Sequence, residues 1–237
     1  YGFRPSNLAV PIASPLDSSR GVDPTQPKTL LPIPSTTVVD AIQNSWQQQR
    51  RKVDVMLILD RSGSMNDAIG GSSKIDSAKR GLAEFTGLLG DSDGLGLTIF
   101  STQADVLSPV SALGPKRQAL LQKINGIVAD GSTRLYDTIA EQVKALQALP
   151  SKHIKAVVVL TDGLSNIGQR ASADELLPDI KPAGENAGNG IKIFTIAYGQ
   201  DADVNGLKKI ADATGGQEYS GTPQNIQQVY FQISQFF

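Results

Sequence analysis

Cysteine is absent from all 237 residues, and histidine occurs once. No disulfide can hold this fold together, which suits a reducing compartment or a bacterial extracytoplasmic protein that avoids thiols. No charge of one sign prevails: 22 Lys and Arg face 23 Asp and Glu, a net charge of −1. That balance removes the electrostatic case for nucleic acid or an acidic membrane surface as partner. No run approaches the roughly 18 apolar residues of a membrane span. Phosphate-loop and dinucleotide signatures are missing too, since no G-x-x-x-x-G-K-[ST] occurs and no G-x-G-x-x-G follows a strand. What remains is 40% apolar residues, enough for one substantial core or a core with a small appendage.

Residues 1–35 read differently from the rest. Pro5, Pro11, Pro15, Pro24, Pro27, Pro32 and Pro34 exclude helix and sheet interior, so the segment is expected to be extended. Phe3, Leu8, Val10, Ile12, Leu30, Leu31 and Ile33 make it too apolar for a solvated spacer. Residues 36–50 then read as a short helix, capped by Ser35 or Thr36, with Val38, Val39, Ile42 and Trp46 on one face. This arm and helix, residues 1–50, are set apart from a second region, 51–237.

From Val53 onward apolar strand runs alternate with amphipathic stretches. Strands are predicted at Val53–Leu59, Gly96–Ser101, Ala104–Leu107, Ile154–Thr161, Ile191–Tyr198 and Gln217–Ser220. Helices are predicted at Lys74–Leu89, Pro115–Ile124, Arg134–Leu149, Ala173–Ile180, Val204–Ala213 and Pro223–Phe236. Near-continuous apolar runs such as Ala156–Leu160 indicate strands covered on both faces, as in a doubly wound α/β sheet. The segment Gly96–Leu107, turning at Thr102-Gln103, reads as a hairpin that places one antiparallel edge strand.

The first apolar run feeds directly into Asp60-Arg61-Ser62-Gly63-Ser64, which sets one carboxylate and two hydroxyls at alternate positions of one loop. Such small oxygen donors are what a hard divalent cation requires. Asp130-Gly131-Ser132-Thr133-Arg134 offers another hydroxyl, and Leu160-Thr161-Asp162-Gly163 a carboxylate at a second strand end. In open α/β sheets ligands bind where the strand order reverses, at the carboxyl ends of the strands. If the two strands are neighbours, Asp60 and Asp162 face each other across a narrow crevice. Two like charges about 5 Å apart repel by roughly 3 kcal/mol at an effective dielectric near 20, and a divalent cation removes that penalty. Three hydroxyls and two carboxylates favour Mg²⁺ or Mn²⁺ over Ca²⁺.

The D-x-S-x-S, Thr and Asp pattern formed by Asp60, Ser62, Ser64, Thr133 and Asp162 resembles the metal-ion-dependent adhesion site of von Willebrand factor type A domains, the family that includes integrin I domains. The resemblance spans roughly residues 51–237. It implies a Rossmann-like α/β fold, a central mostly parallel sheet with helices on both faces. It also implies that Ser62 and Ser64 bind Mg²⁺ directly, that Thr133 does so in the ligand-competent state, and that Asp60 and Asp162 act largely through water. Mn²⁺ or Ca²⁺ would be substitutes. An open coordination position would then accept an Asp or Glu of a partner protein. Asp67 resembles the first acid of an adjacent metal site in integrin β chains, but Ala68 occupies the second position.

Gly2 to Pro5 and the proline-rich stretch resemble a bacterial arrangement in which a periplasmic-binding-protein-like domain precedes the type A domain. That resemblance implies an upstream domain, a cell-envelope location outside the cytoplasm, and a chain that is a mature piece of a longer protein, in keeping with Tyr1 at its start. The competing function is a structural or assembly domain that uses its metal for stability alone.

Catalysis is weighed and set aside. The one histidine, His153, precedes the strand ending near Asp162 and should lie about 20 Å from it, at the opposite end of the sheet. A haloacid-dehalogenase type phosphatase would need a second aspartate where Ser62 stands. No enzyme is expected. Plainer readings cover the rest: Asp67 as a helix cap or solvent-facing acid, Lys74 and Asp76 as first-turn charges of a solvated helix face, and Trp46 as a packing anchor. Asp130 and Arg134 read as loop-ordering or ligand-rim residues, and Gly63 and Gly163 as glycines needed for close approach and tight turning.

Overall fold

All eight residues of the run Val53–Asp60 are buried, as the uninterrupted apolar pattern requires of a strand covered on both faces. In this computed structural model, which describes residues 17–21, 34–49, 51–181 and 190–236, the chain divides after Arg50 into two units. In the first, α1 (Thr36–Gln49) covers the predicted short helix. Val38, Val39 and Ile42 are exposed on it, Ile42 by 61%. The expected course of Phe3, Leu8, Val10, Ile12, Leu30, Leu31 and Ile33, the Gly2–Pro5 motif and the side chain of Trp46 lie outside the described residues.

The second unit runs β1 (Val53–Asp60), a small hairpin of β2 (Ala68–Ile69) and β3 (Ser72–Ser73), α2 (Lys74–Leu88), β4 (Gly94–Phe100), β5 (Ala104–Ala112), α3 (Arg117–Asn125), α4 (Leu135–Ala148), β6 (Ile154–Thr161), α5 (Ala173–Ile180), β7 (Lys192–Tyr198), α6 (Val204–Thr214), β8 (Glu218–Gly221) and α7 (Ile226–Ser234). Six strands form one sheet in the order β5-β4-β1-β6-β7-β8. All neighbours are parallel except β4 and β5. This is the predicted α/β architecture with one antiparallel edge strand.

Alternate residues of the central strands feed two cores. Val55, Leu57 and Leu59 join Leu82, Phe85, Ile226 and Tyr230 on one face. Met56 and Ile58 join Ile139, Val143, Leu176, Leu207 and Ile210 on the other. The sequence winds to one side from β1 to β4 and to the other from β1 to β6, so the switch point lies between β1 and β6.

Three local departures from the predicted elements have physical causes. The β5 strand continues to Ala112, beyond Leu107, because an edge strand needs no apolar alternation and tolerates Pro109 on its outer side. The hairpin at residues 68–73 is too short to show a period. It turns on Gly70 (φ 65°) and Gly71 (φ 89°), a pair of left-handed residues that only glycine supplies readily. Finally, α7 starts at Ile226 instead of Pro223, because Asn225 Oδ1 accepts the Thr222 N–H at 2.7 Å and holds a turn there.

Candidate functional site

Parallel pairing sets Leu59 opposite Leu160, so β1 and β6 end side by side with Asp60 next to Thr161. The Thr161 hydroxyl donates to Asp60 Oδ2 at 2.5 Å, and the Ser62 N–H donates to Oδ1 at 2.7 Å. Asp60 is wholly buried. Burial pushes its carboxyl up from 3.8 to about 6; the bonds from Thr161 and Ser62 oppose that rise and the negative charge of Asp162 adds to it. Past Asp60 the chain tightens into a 3₁₀ turn over Gly63–Asn66, anchored by the buried Met65. The turn carries Ser64 back over the crevice. Ser62 Oγ and Ser64 Oγ lie 3.1 Å apart, and the Ser64 hydroxyl donates to Asp162 Oδ1 at 2.8 Å.

Thr133 arrives from a third segment. The Gly63 N–H donates to Gly131 O at 2.9 Å and the Asp130 N–H to Arg61 O at 2.7 Å, while the Arg134 N–H donates to Ser101 O at 3.0 Å. Gly131 permits this lacing: its φ is +88°, and a Cβ there would stand 2.7 Å from Thr102 Oγ1. Asn166 then clamps Thr133, accepting its N–H at 2.9 Å through Oδ1 and donating its own N–H to Thr133 O at 3.0 Å. Thr133 is 4% exposed, yet among the described residues its hydroxyl has no hydrogen-bond partner. A Cβ on Gly163 would lie 3.8 Å from Thr133 Oγ1 and 4.0 Å from Ser64 Oγ, which places both hydroxyls around one point. The structure thus links Asp60, Ser62, Ser64 and Asp162 through contiguous hydrogen bonds and brings Thr133 to the same rim.

Two readings of the loops are corrected. Gly63 and Gly163 do not depend on being glycine for space: neither has a positive φ, and their nearest would-be neighbours lie at 3.6 and 3.8 Å. Lys74 is not a solvated surface charge. It is 3% exposed, and its Nζ donates to Asp162 Oδ2 at 2.6 Å, with the exposed Asp67 Oδ2 farther away at 3.8 Å. The side chain passes beneath Gly199, whose would-be Cβ is 3.5 Å from Lys74 Cε. A buried carboxylate without a partner is costly, so the cation turns inward from the first residue of α2. The sequence held a signal for this: Lys74 lies one helical turn before Ala78 on the buried face that continues through Gly81 and Phe85. Asp76, in contrast, is exposed and closes the helix start, with Ser73 Oγ accepting its N–H at 3.2 Å.

Asn166 and Thr161 also escaped the sequence reading. Thr161 could have been found as the residue that parallel pairing puts beside Asp60, whereas nothing in the polar stretch Ser165-Asn166 distinguishes a clamp from a loop. Arg134 orders its surroundings, bonding Glu141 at 2.7 Å and approaching Asp137 at 3.6 Å. His153 stands before β6, at the end away from Asp162, with Nδ1 3.1 Å from Asp54 Oδ1.

Among the described residues no three His, Cys, Asp or Glu side chains cluster as a metal cage. The converging donors are two carboxylates and three hydroxyls, one of the latter without a hydrogen-bond partner among the described residues. That set fits a hard cation such as Mg²⁺, which accepts neutral oxygens and keeps water in its shell.

An open, doubly wound sheet with polar loops gathered at its switch point defines a Rossmann-like α/β domain. The sequence profile of the von Willebrand factor type A domain matches residues 54–234. The chain belongs to the von Willebrand factor type A domain family. Protein YwmC of Bacillus subtilis is 24% identical over 213 residues, covering 84% of this chain and 90% of that protein. The pilus adhesin SpaC of Lactobacillus rhamnosus GG superposes with a TM-score of 0.66 at 16% identity, covering 80% of this chain and 31% of that one. The von Willebrand factor domain of the type V pilus tip protein Mfa5 of Porphyromonas gingivalis gives 0.61 at 14% identity, covering 78% and 95%. At such identities the two structures establish a common fold.

Proposed function

We propose that this domain binds a protein partner through Mg²⁺ held by Asp60, Ser62, Ser64, Thr133 and Asp162, with an Asp or Glu of the partner as the incoming ligand. The observation that carries this reading is the unpartnered Thr133 hydroxyl converging on a hydrogen-bonded chain of four other oxygen-bearing residues at the switch point. A bound divalent cation supplies a Lewis-acidic position for an outside carboxylate. Ser62 and Ser64 present neutral oxygens, Asp60 and Asp162 supply charge, and Asn166 holds Thr133 in place. Mn²⁺ or Ca²⁺ would be expected to substitute. The fold shared with a pilus adhesin and a pilus tip domain supports an adhesive or assembly role outside the cytoplasm. Among the described residues no helix is long and apolar enough to cross a membrane.

Titration calorimetry with Mg²⁺ on the chain and on its Ser62→Ala/Ser64→Ala variant tests the metal. Saturable binding that the variant abolishes supports the reading, and absence of binding to the unaltered chain refutes it. Asp162→Ala is the poorer probe, because it would strand the Lys74 ammonium and lower stability whether or not a metal binds.

A further inference from the structure

Lys74 lies outside the five-residue pattern, yet among the described residues its ammonium is the one cation that Asp162 holds, at 2.6 Å. Both groups are buried, with side chains 4% and 0% exposed, so water screens their attraction little. We propose that Lys74 is a built-in counter-ion that sets the affinity of the site: by neutralising Asp162 it keeps the hold on a divalent cation weak until an acidic ligand from outside supplies the missing charge. This rests on the metal reading above and adds a residue and a form of regulation to it.

The charge count carries the argument. Asp60 and Asp162 together bring two negative charges when ionised, and Lys74 cancels one of them. A divalent cation entering this site is therefore left with an uncompensated positive charge, which an incoming carboxylate would neutralise. Without Lys74 the same two carboxylates would balance the ion unaided. The lysine is set at the capped start of α2, directly after Ser73, and lies close under the loop at Gly199, where an added Cβ would come 3.5 Å from its Cε and 3.8 Å from its Nζ. Its second acid, Asp67, is exposed and more distant at 3.8 Å, so it offers a weaker, solvent-screened attraction. A merely positioning lysine, orienting Asp162 for the metal, makes the opposite prediction: its removal would weaken metal binding.

The test is Mn²⁺ titration of the chain and of its Lys74→Met, Lys74→Arg and Ser62→Ala/Ser64→Ala variants, with thermal unfolding of each in EDTA and in Mn²⁺. Lys74→Met should bind Mn²⁺ about ten-fold tighter or better, a size set by losing one charge a few ångströms from the ion. Lys74→Arg should stay within about three-fold of the unaltered chain, since it keeps the charge. In EDTA the Met variant should unfold at a lower temperature, and Mn²⁺ should raise its midpoint by more than that of the unaltered chain. Lys74→Gln, which keeps a donor to Asp162 without the charge, is read in the same way should the Met variant not fold. Equal or weaker Mn²⁺ binding by the neutral variants, with the double serine variant inactive, overturns the counter-ion and leaves the metal site standing. Binding by none of the chains overturns both.

Discussion

Replacing Asp60 with asparagine should make the metal-free protein more stable at pH 7, although it removes a proposed metal ligand. Asp60 is wholly buried, and its carboxyl is pushed up from 3.8 to about 6. Folding therefore disfavours its ionised form, by about 3 kcal/mol at 1.36 kcal/mol per pH unit. Because the folded value lies above the unfolded one, the deficit is full above about pH 6 and fades as pH falls towards 3.8. Asparagine has the same shape and keeps both contacts: its Oδ1 can accept the Ser62 N–H, and its Nδ2 can donate to Thr161 Oγ1. Loss of the short Thr161 bond to a charged acceptor offsets part of the gain, leaving about 1–3 kcal/mol.

The assay is urea denaturation of the chain and of Asp60→Asn in EDTA, at pH 7 and at pH 4. The variant should lead at pH 7, and most of its lead should vanish at pH 4, where folded Asp60 is already protonated. If Mg²⁺ binds as proposed, at about 100 times its dissociation constant the unaltered chain alone should gain about 2.7 kcal/mol, closing or inverting the gap. An Asp60→Asn protein less stable in EDTA at pH 7, or a lead unchanged at pH 4, would refute the reasoning.

Three other outcomes follow from named contacts. Asp137 is 2% exposed; burial alone would raise its carboxyl, but the Gln169 N–H and the Arg170 and Arg134 guanidinium groups outweigh it and hold the value below 3.8. Asp137→Asn should cost about 2 kcal/mol in urea titrations at pH 7. With the folded value depressed, that difference should persist down to about pH 4 and close only as pH falls through the depressed value. Asn166→Ala should free the Thr133 backbone, weakening Mg²⁺ binding in calorimetry several-fold while costing about 1–2 kcal/mol of stability. Gly131→Ala, at φ +88° and facing Thr102 Oγ1 at 2.7 Å, should lower stability by about 1–3 kcal/mol by thermal unfolding, whereas Gly163→Ala should change stability little.

Much of the site could be read in the chain because its parts obey local rules. Strands covered on both faces spell continuous apolar runs, so the ends of Val53–Asp60 and Ile154–Thr161 were visible, and with them Asp60 and Asp162 as polar residues at strand ends. The alternation of strands and helices was enough for a doubly wound sheet, and the short hairpin after Phe100 for its antiparallel edge. Pairing between elements distant in sequence decided what local rules cannot carry. Thr161 supports Asp60 only because β6 lies parallel to β1 in one register, and Asn166 clamps Thr133 only because two loops 33 residues apart meet over the crevice. Lys74 shows the limit most plainly. A lysine in a first helical turn is ordinarily solvated, and no sequence window contains Asp162, 88 residues away, whose buried charge draws the ammonium inward. Burial pattern is a property of neighbours in sequence and survives in a one-dimensional reading, whereas the pairing of buried charges depends on distances that exist only once the sheet has formed.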